Sequence, residues 1–516
     1  MSSIVDKLAQ SSSEDRTKAD MTVVQPSTSE VVGETAVIAR PFNLLTSLGV
    51  AYSITNSPLG IFLSMGSQVY FGGCPAYLYG YILMAVVGAC TAVSLGELSS
   101  MYPHAGGQYH FVGRLCPPKS HRFVSYVTAI LAWAGAVGSG ASSVTVSAQI
   151  ILGMVRFVHP GFTAQDKPWV VFVVFQAINL LIFPVNCFEK LLPHVARAAL
   201  LMAVCSAGII FVSVLAASPS KQSAEFVFAD FNNVSGWPTG VAFFIGINNA
   251  NWSFSCLDAA THLADELPNP RRDIPKTLLY TMLLGFTTGI PCMLALYFSI
   301  QSVEDAIDGT SGVFIMELFL QVFSGNKSAA LGLESLVLIS TLVSIVGIHT
   351  WQSRMAWAFS RDKGFPLHKW QSVVSPMPFG TPIAAHAWSA SWTALCGCLY
   401  LASRTAFSSL ISASILLQYI SYSIAVVLLL LKGRSNVTPG PFWYPRLGLL
   451  CNTVTVTWTI LATVFYSLPY FLPVVASEMN YSCVVLFAIF LYALGYWFTV
   501  GRASYEVPTD VFYAAN

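Results

Sequence analysis

Charge is what this chain has least of. Of its 516 residues only 9% are Asp, Glu, Lys or Arg, and 55% are hydrophobic. A soluble domain carries about 25% charged residues, so water cannot be the solvent for most of this surface. Twenty-five basic and 24 acidic residues leave a formal charge of +1. That balance gives a nucleic-acid partner no electrostatic basis. The first forty residues contain no apolar run of the kind a secretory signal needs. Eleven cysteines are scattered without zinc-finger spacing, and Cys396-Gly-Cys398 is one residue short of CxxC. They read as small core residues rather than a disulfide framework. Nine histidines form no HExxH or other close pair, so neither a metal nor a cofactor is expected. No paired His/Asp constellation or nucleophile elbow is present to support an enzyme.

What the chain has in quantity is apolar length. A membrane span needs roughly 20 apolar residues. Twelve segments qualify, at about 44–68, 75–98, 122–153, 169–187, 192–216, 239–263, 276–300, 331–358, 382–402, 407–431, 448–474 and 482–500. Lys and Arg concentrate on the cytosolic side of membrane proteins. With the N-terminus inside, 20 of the 25 basic residues fall in cytosolic segments. Only Arg156, Lys167, Lys221, Lys327 and Arg404 fall outside. The expected fold class is therefore an all-α membrane protein of twelve transmembrane helices with both termini cytosolic. Residues 1–40 read as a disordered cytosolic tail, 41–502 as the membrane domain and 503–516 as a C-terminal tail. Asn233, Asn326 and Asn480 head sequons in external loops and are candidate glycosylation sites. Asn251 heads a fourth at membrane depth, where it should stay unmodified.

One segment breaks the apolar pattern. "GINNANWSFSCLDAATHLADELPNPRRDIP", Gly246 to Pro275, places Asn248, Asn249 and Asn251 inside the sixth span. Irregular backbone at membrane depth is tolerated where protein or a water-filled cavity surrounds it. Transporters use such breaks to bind substrates and ions. The amides would then replace lost helical bonds. The competing reading is that the asparagines only tie neighbouring helices together. The first span supplies a matching break in "AYSITNSPLGIFLSMG", Ala51 to Gly66, where Pro58 lacks an N–H and Gly60 weakens the helix. Breaks in helices one and six, five spans apart, imply a five-plus-five inverted repeat. Repeat one would span about 41–217 and repeat two about 238–432, with helices eleven and twelve at about 447–500.

At these residues the chain resembles the amino acid–polyamine–organocation superfamily. "GELSSMYPHAGGQYHF", Gly96 to Phe111, is similar to that superfamily's signature at the end of helix two. "NWSFSCLDAATHLADELPNPRRDIP", Asn251 to Pro275, resembles the fungal amino-acid/choline permease branch, closest to choline-type members. The resemblance implies a LeuT-like fold and secondary transport, with substrate held between helices 1, 3, 6, 8 and 10. It places the Gly96–Phe111 motif in an inner gate loop. One departure bears on the substrate. Amino-acid carriers of the superfamily often have a glycine-rich break in helix one, whereas Ser57-Pro58-Leu59-Gly60 stands here.

The candidate substrate-binding residues are Asn56, Ser57 and Gly60 of the first break and Gly246, Asn248, Asn249, Asn251, Trp252 and Phe254 of the second. Trp133 and Tyr419 or Tyr422 would complete an aromatic cage for a quaternary ammonium; each also reads as core packing. Glu97 is either a gate pair or a carboxylate held at the polar interface. Asp258 is a protonation site, a gate partner or a cap for the second half-helix. Ser340, Thr341, Ser344 and Gly347 would offer oxygens to sodium, but a proton is the coupling ion preferred. The expected protein is a plasma-membrane transporter in lipid that carries choline or a related amine. GABA or another amino acid is the alternative substrate, and a non-transporting nutrient sensor the rival function.

Overall fold

The computed structural model describes residues 41–476 and 479–508, and there the chain is helical apart from turns and two isolated bridges. The expected tails at 1–40 and 509–516 lie outside the described residues. Among the described residues nine helices are long and apolar enough to cross a membrane. The longest, His121–Val158, has 38 residues, about 57 Å at 1.5 Å per residue, long enough to span a bilayer core of about 30 Å even when tilted.

In chain order the elements that build the site are α1 (Leu44–Thr55), α2 (Ser57–Gln68), α3 (Gly73–Met101), α4 (Gln108–Leu115) and α5 (His121–Val158). Next come α6 (Pro168–Ile182), α7 (Leu192–Ala217), α8 (Ala224–Phe228), α9 (Thr239–Trp252) and a 3-10 segment, Leu257–Glu266. Then follow α10 (Pro270–Ser299), α11 (Val303–Ile307), α12 (Phe314–Val322) and α13 (Lys327–Arg361). The series ends with α14 (His368–Gln371), α15 (Ile383–Ala402), α16 (Arg404–Lys432), α17 (Pro445–Phe465) and α18 (Ser482–Tyr496).

Local sequence starts these helices. Asn43 and Thr46 form a reciprocal capping box at α1, satisfying two N–H groups that a helix start leaves free. Asn326 caps α13 and Ser403 caps α16. Pro58 sits in the first turn of α2, where a missing N–H costs nothing.

Small residues bring the central helices together. A Cβ on Gly138 would lie 1.9 Å from Ser414 Oγ, and one on Gly140 would lie 2.3 Å from Gln352 Nε2. Thus α5 packs directly on α16 and α13. Peripheral helices are the reverse. Leu180, Leu181, Leu201 and Leu431 are each at least 65% exposed, and a continuous apolar exterior of this kind needs lipid or protein against it. At the other end of the chain, Tyr505 is fully buried against Tyr126 and Phe359. Its hydroxyl meets Ser125 Oγ at 2.7 Å. Tyr505, near the start of the expected C-terminal tail at 503–516, is therefore docked onto α5.

Candidate functional site

Two helices lose their backbone pattern at the same depth. Asn56 separates α1 from α2 with φ 25°, ψ 68°, and Cys256 turns the chain between α9 and the 3-10 segment with φ 60°, ψ 26°. Freed backbone groups in a buried setting need partners, and the first break supplies donors to the carbonyls of the second. Ser57 Oγ donates to the Ser253 carbonyl at 2.7 Å, and Thr55 Oγ1 to the Ser255 carbonyl at 3.3 Å. The Cys256 N–H donates to Gln418 Oε1 at 2.8 Å, and Gln418 Nε2 donates to Ser139 Oγ at 2.8 Å. Gly60 lets the strands of backbone approach, since a Cβ there would lie 2.7 Å from Ser253 Cα.

A cavity of about 30 Å³ lies between the breaks, room for about two waters. Its walls include Thr55, Asn56, Leu59, Gly60 and Leu63 on one side and Trp252, Ser255 and Cys256 on the other. Ser139 and Ser143 of α5 and Thr341 and Ser344 of α13 close it. None of its lining residues is charged. A far larger cavity of about 590 Å³ lies beside it. Leu63 belongs to both walls, so one side chain divides the roomy cavity from the small one. The large cavity carries Arg156, Asp166 and Arg404; Arg156 and Asp166 are paired at 3.1 Å.

The three asparagines do not occupy the break. They lie within the last two turns of α9, and unwinding begins at Ser253. Asn251 Nδ2 donates to Tyr466 Oη at 3.0 Å and its Oδ1 accepts from Tyr419 Oη at 3.1 Å. Asn249 Nδ2 donates to Gln68 Oε1 and Asn248 Nδ2 to Ser412 Oγ, both at 3.1 Å. Their amides tie α9 to α16, α2 and the chain after α17. Hydroxyls and Gln418, rather than these amides, replace the lost helical bonds. Gly246 permits the close approach of Phe71 and Gln68.

The aromatic residues separate in the same way. Trp252 lines the cavity, half-buried. Phe254 packs instead on Tyr81, with ring centroids 4.6 Å apart. Trp133 bonds Ser389 Oγ at 3.1 Å and packs on Phe365 and Trp392. Tyr422, one turn beyond Gln418, donates to Asp258 Oδ1 at 2.5 Å. Of the expected cage, the cavity receives Trp252.

The acids form a second layer away from the cavity. Glu97 holds Arg434 through two bonds of 2.7 and 2.9 Å and accepts the Tyr444 N–H at 2.9 Å. It therefore anchors the loop between α16 and α17. Asp258 accepts from Gln108 Nε2 at 2.8 Å and from Tyr422, and lies 3.2 Å from His262 Nε2. His262 Nδ1 is 2.7 Å from the Ala105 carbonyl. Gly107, at φ 55°, leaves space that a Cβ would close against His262. The "YPHAGGQY" loop is thus clasped to the 3-10 segment. Glu266 and Arg354 make a buried bidentate pair at 2.7 and 3.2 Å, and Asp265 pairs with Arg361 at 2.8 Å. Breaking one partner of such a buried pair costs about 3–5 kcal/mol. Burial pushes the Asp362 carboxyl up to about 7 despite the bond it accepts from Tyr109 and the nearby Arg361. Burial and Arg361 hold His104 well below its usual value, consistent with its Nδ1 accepting the Gly106 N–H at 2.9 Å.

The sequon asparagines also differ. Asn326 is exposed and Asn233 half-buried. Asn480 is fully buried, its amide donating to the Tyr466 carbonyl at 2.6 Å.

Comparison with known proteins agrees with this architecture. The amino acid permease family profile matches residues 42–489. A transmembrane transporter, swnT, of Metarhizium robertsii is 45% identical over 471 residues, covering 91% of this chain and 92% of that one. The swainsonine transporter swnT of Arthroderma benhamiae is 41% identical over 468 residues, covering 91% and 92%. The choline transporter of Saccharomyces cerevisiae is 41% identical over 471 residues, covering 91% and 83%. With its apolar helices, buried breaks and these relatives, the chain is an integral, multi-pass membrane protein that belongs to the amino acid permease family.

Proposed function

We propose that the protein is a secondary active transporter that carries choline or a related small amine across the plasma membrane by alternating access, driven by protons. The observation that carries this reading is the chemistry of the cavity between the breaks. The carboxyl ends of α1 and α9 meet there, and helix ends of that polarity attract cations. Trp252 presents an aromatic ring, the group that holds quaternary ammonium without hydrogen bonds. Ser and Thr hydroxyls suit a substrate hydroxyl. No cationic side chain lines the wall for a carboxylate, and Pro58 removes one N–H from the start of α2. Choline and swainsonine, named for two relatives, are both small hydroxylated amines.

The fold that goes with this function has twelve crossings. The nine long helices are joined by two broken ones, α1 with α2 and α9 with the 3-10 segment, and by the 20-residue α15. The halves 41–217 and 238–432 act as inverted repeats of a LeuT-like fold, with crossings eleven and twelve at about 447–500 and both termini cytosolic. The large cavity is then the external vestibule and the clasped "YPHAGGQY" loop the closed inner gate. An amino acid such as GABA is the second reading, favoured by the family's name. Uptake of radiolabelled choline, other hydroxylated amines, GABA and amino acids in transporter-deficient cells tests the proposal. Accumulation of choline or a related amine, abolished by a protonophore and independent of sodium, is expected; uptake confined to amino acids would overturn it.

A further inference from the structure

We infer that Glu334 is a proton-binding site of the transport cycle. This rests on the reading of the protein as a proton-driven transporter and names the residue that takes the proton. Glu334 lies seven residues into α13 in the apolar run "LGLESLVLIS". It is fully buried, and both carboxylate oxygens lack a hydrogen-bond partner. Among the other buried acids, Glu189 has one buried oxygen without a partner where Glu334 has two, and Glu97, Asp258 and Glu266 each hold a cation or several donors. Those groups are fixed in place by their partners. Glu334 has nothing to release before it gains or loses a proton.

Its surroundings accept a neutral acid and penalise a carboxylate. The ionisable groups around this end of α13 are engaged elsewhere. Lys327 donates to the Phe157 carbonyl, Glu317 accepts the Ser311 N–H, and Arg156 pairs with Asp166. α2 carries no ionisable residue, and the facing stretch of α7 carries no acid or base beyond the exposed thiol of Cys205. At the far end of α13 and the elements packed there, Asp258 pairs with His262, Glu266 with Arg354 and Asp265 with Arg361, while the rings of His349 and His386 meet edge to face.

Position links this acid to the substrate cavity. Val337, one turn on, lines a cavity of about 10 Å³ together with Ser340, Ser206 and Asn56 of the first break, room for about one water. Thr341, two turns from Glu334 on the same face, lines the cavity between the breaks. A change at the first break is therefore felt within a turn of Glu334. In the cycle, water on the outer side gives a proton to the carboxylate. Movement of α2 against α13 then opens Glu334 to inner water, which takes the proton away.

The test uses the full chain in proteoliposomes with radiolabelled choline. Wild type under an inward pH gradient of one unit should accumulate choline about tenfold, the limit for one proton per cation without voltage. Wild type that transports but does not respond to the gradient would overturn proton coupling itself, and the assignment of Glu334 with it. If wild type responds, E334Q should exchange internal for external choline at the wild-type rate, with no accumulation under the gradient. Glu334→Asp should keep accumulation. E334Q that accumulates as wild type does would overturn the assignment alone. So would loss of both exchange and accumulation in both variants, which would make Glu334 structural.

Discussion

Gln418 is the residue on which the second break depends. Its carbonyl oxygen takes the Cys256 N–H and its amide reaches Ser139, so one side chain joins α16, α5 and the break. Gln418→Leu leaves that N–H buried without an acceptor, a loss of about 1–3 kcal/mol. Melting of the detergent-purified variant should drop accordingly, and an unchanged melting temperature would contradict this role. Asp362 makes a pH prediction. Its carboxyl is raised from 3.8 to about 7, so the folded protein binds a proton that the unfolded chain releases. Stability from this group is present below about pH 4 and is lost as pH rises through about 7. The melting temperature of wild type relative to Asp362→Asn should therefore fall between pH 5 and 7 and level off above 8. A difference that stays constant or rises over that interval contradicts the assignment.

At the scale of elements, the two breaks decide everything near the cavity. Gly60 meets the backbone of Ser253, while Gly208 of α7 has open space where its Cβ would be. Gly60→Ala should abolish uptake with surface abundance retained, and Gly208→Ala should leave uptake unchanged. Normal uptake by Gly60→Ala would mean the breaks need not touch. Both breaks were legible in the sequence because Pro58 and the polar run after Gly246 have strong backbone consequences. The position of the second was less legible. Asn is equally at home in an unwound turn and as an amide tie on a helix face, and Asn248, Asn249 and Asn251 take the second role. The aromatic cage was not legible, because no periodicity fixes where a side chain points after an irregular turn: Trp252 lines the cavity and Phe254, two residues on, packs on Tyr81. Gln418 gave no signal among the polar residues of a long helix. Glu334 was not singled out from the sequence either, although a lone acid in an apolar run is a signal that would have found it.

For the whole molecule, the proposed orientation rests on 20 basic residues inside against 5 outside. It places Asn326 outside, exposed, and using only its oxygen to cap α13. The amide nitrogen is left for a glycan. Asn326→Gln should remove an endoglycosidase-sensitive shift in mobility. Asn480→Gln should change nothing, because that amide is buried and bonded to backbone. A glycan on Asn480 alone would contradict this folding of the external face.

The central claim is that a small amine is held at Trp252 between the two breaks. Competition by choline and by GABA, measured side by side in wild type, Trp252→Phe and Trp252→Leu, tests it most directly. One aromatic face contributes about 0.5–2 kcal/mol to a quaternary ammonium, and 1.4 kcal/mol is tenfold in affinity. Choline should compete in wild type, slightly less well in Trp252→Phe, and about twofold to thirtyfold less well in Trp252→Leu. Strong competition by GABA with none by choline, or choline affinity unchanged in Trp252→Leu, would contradict it.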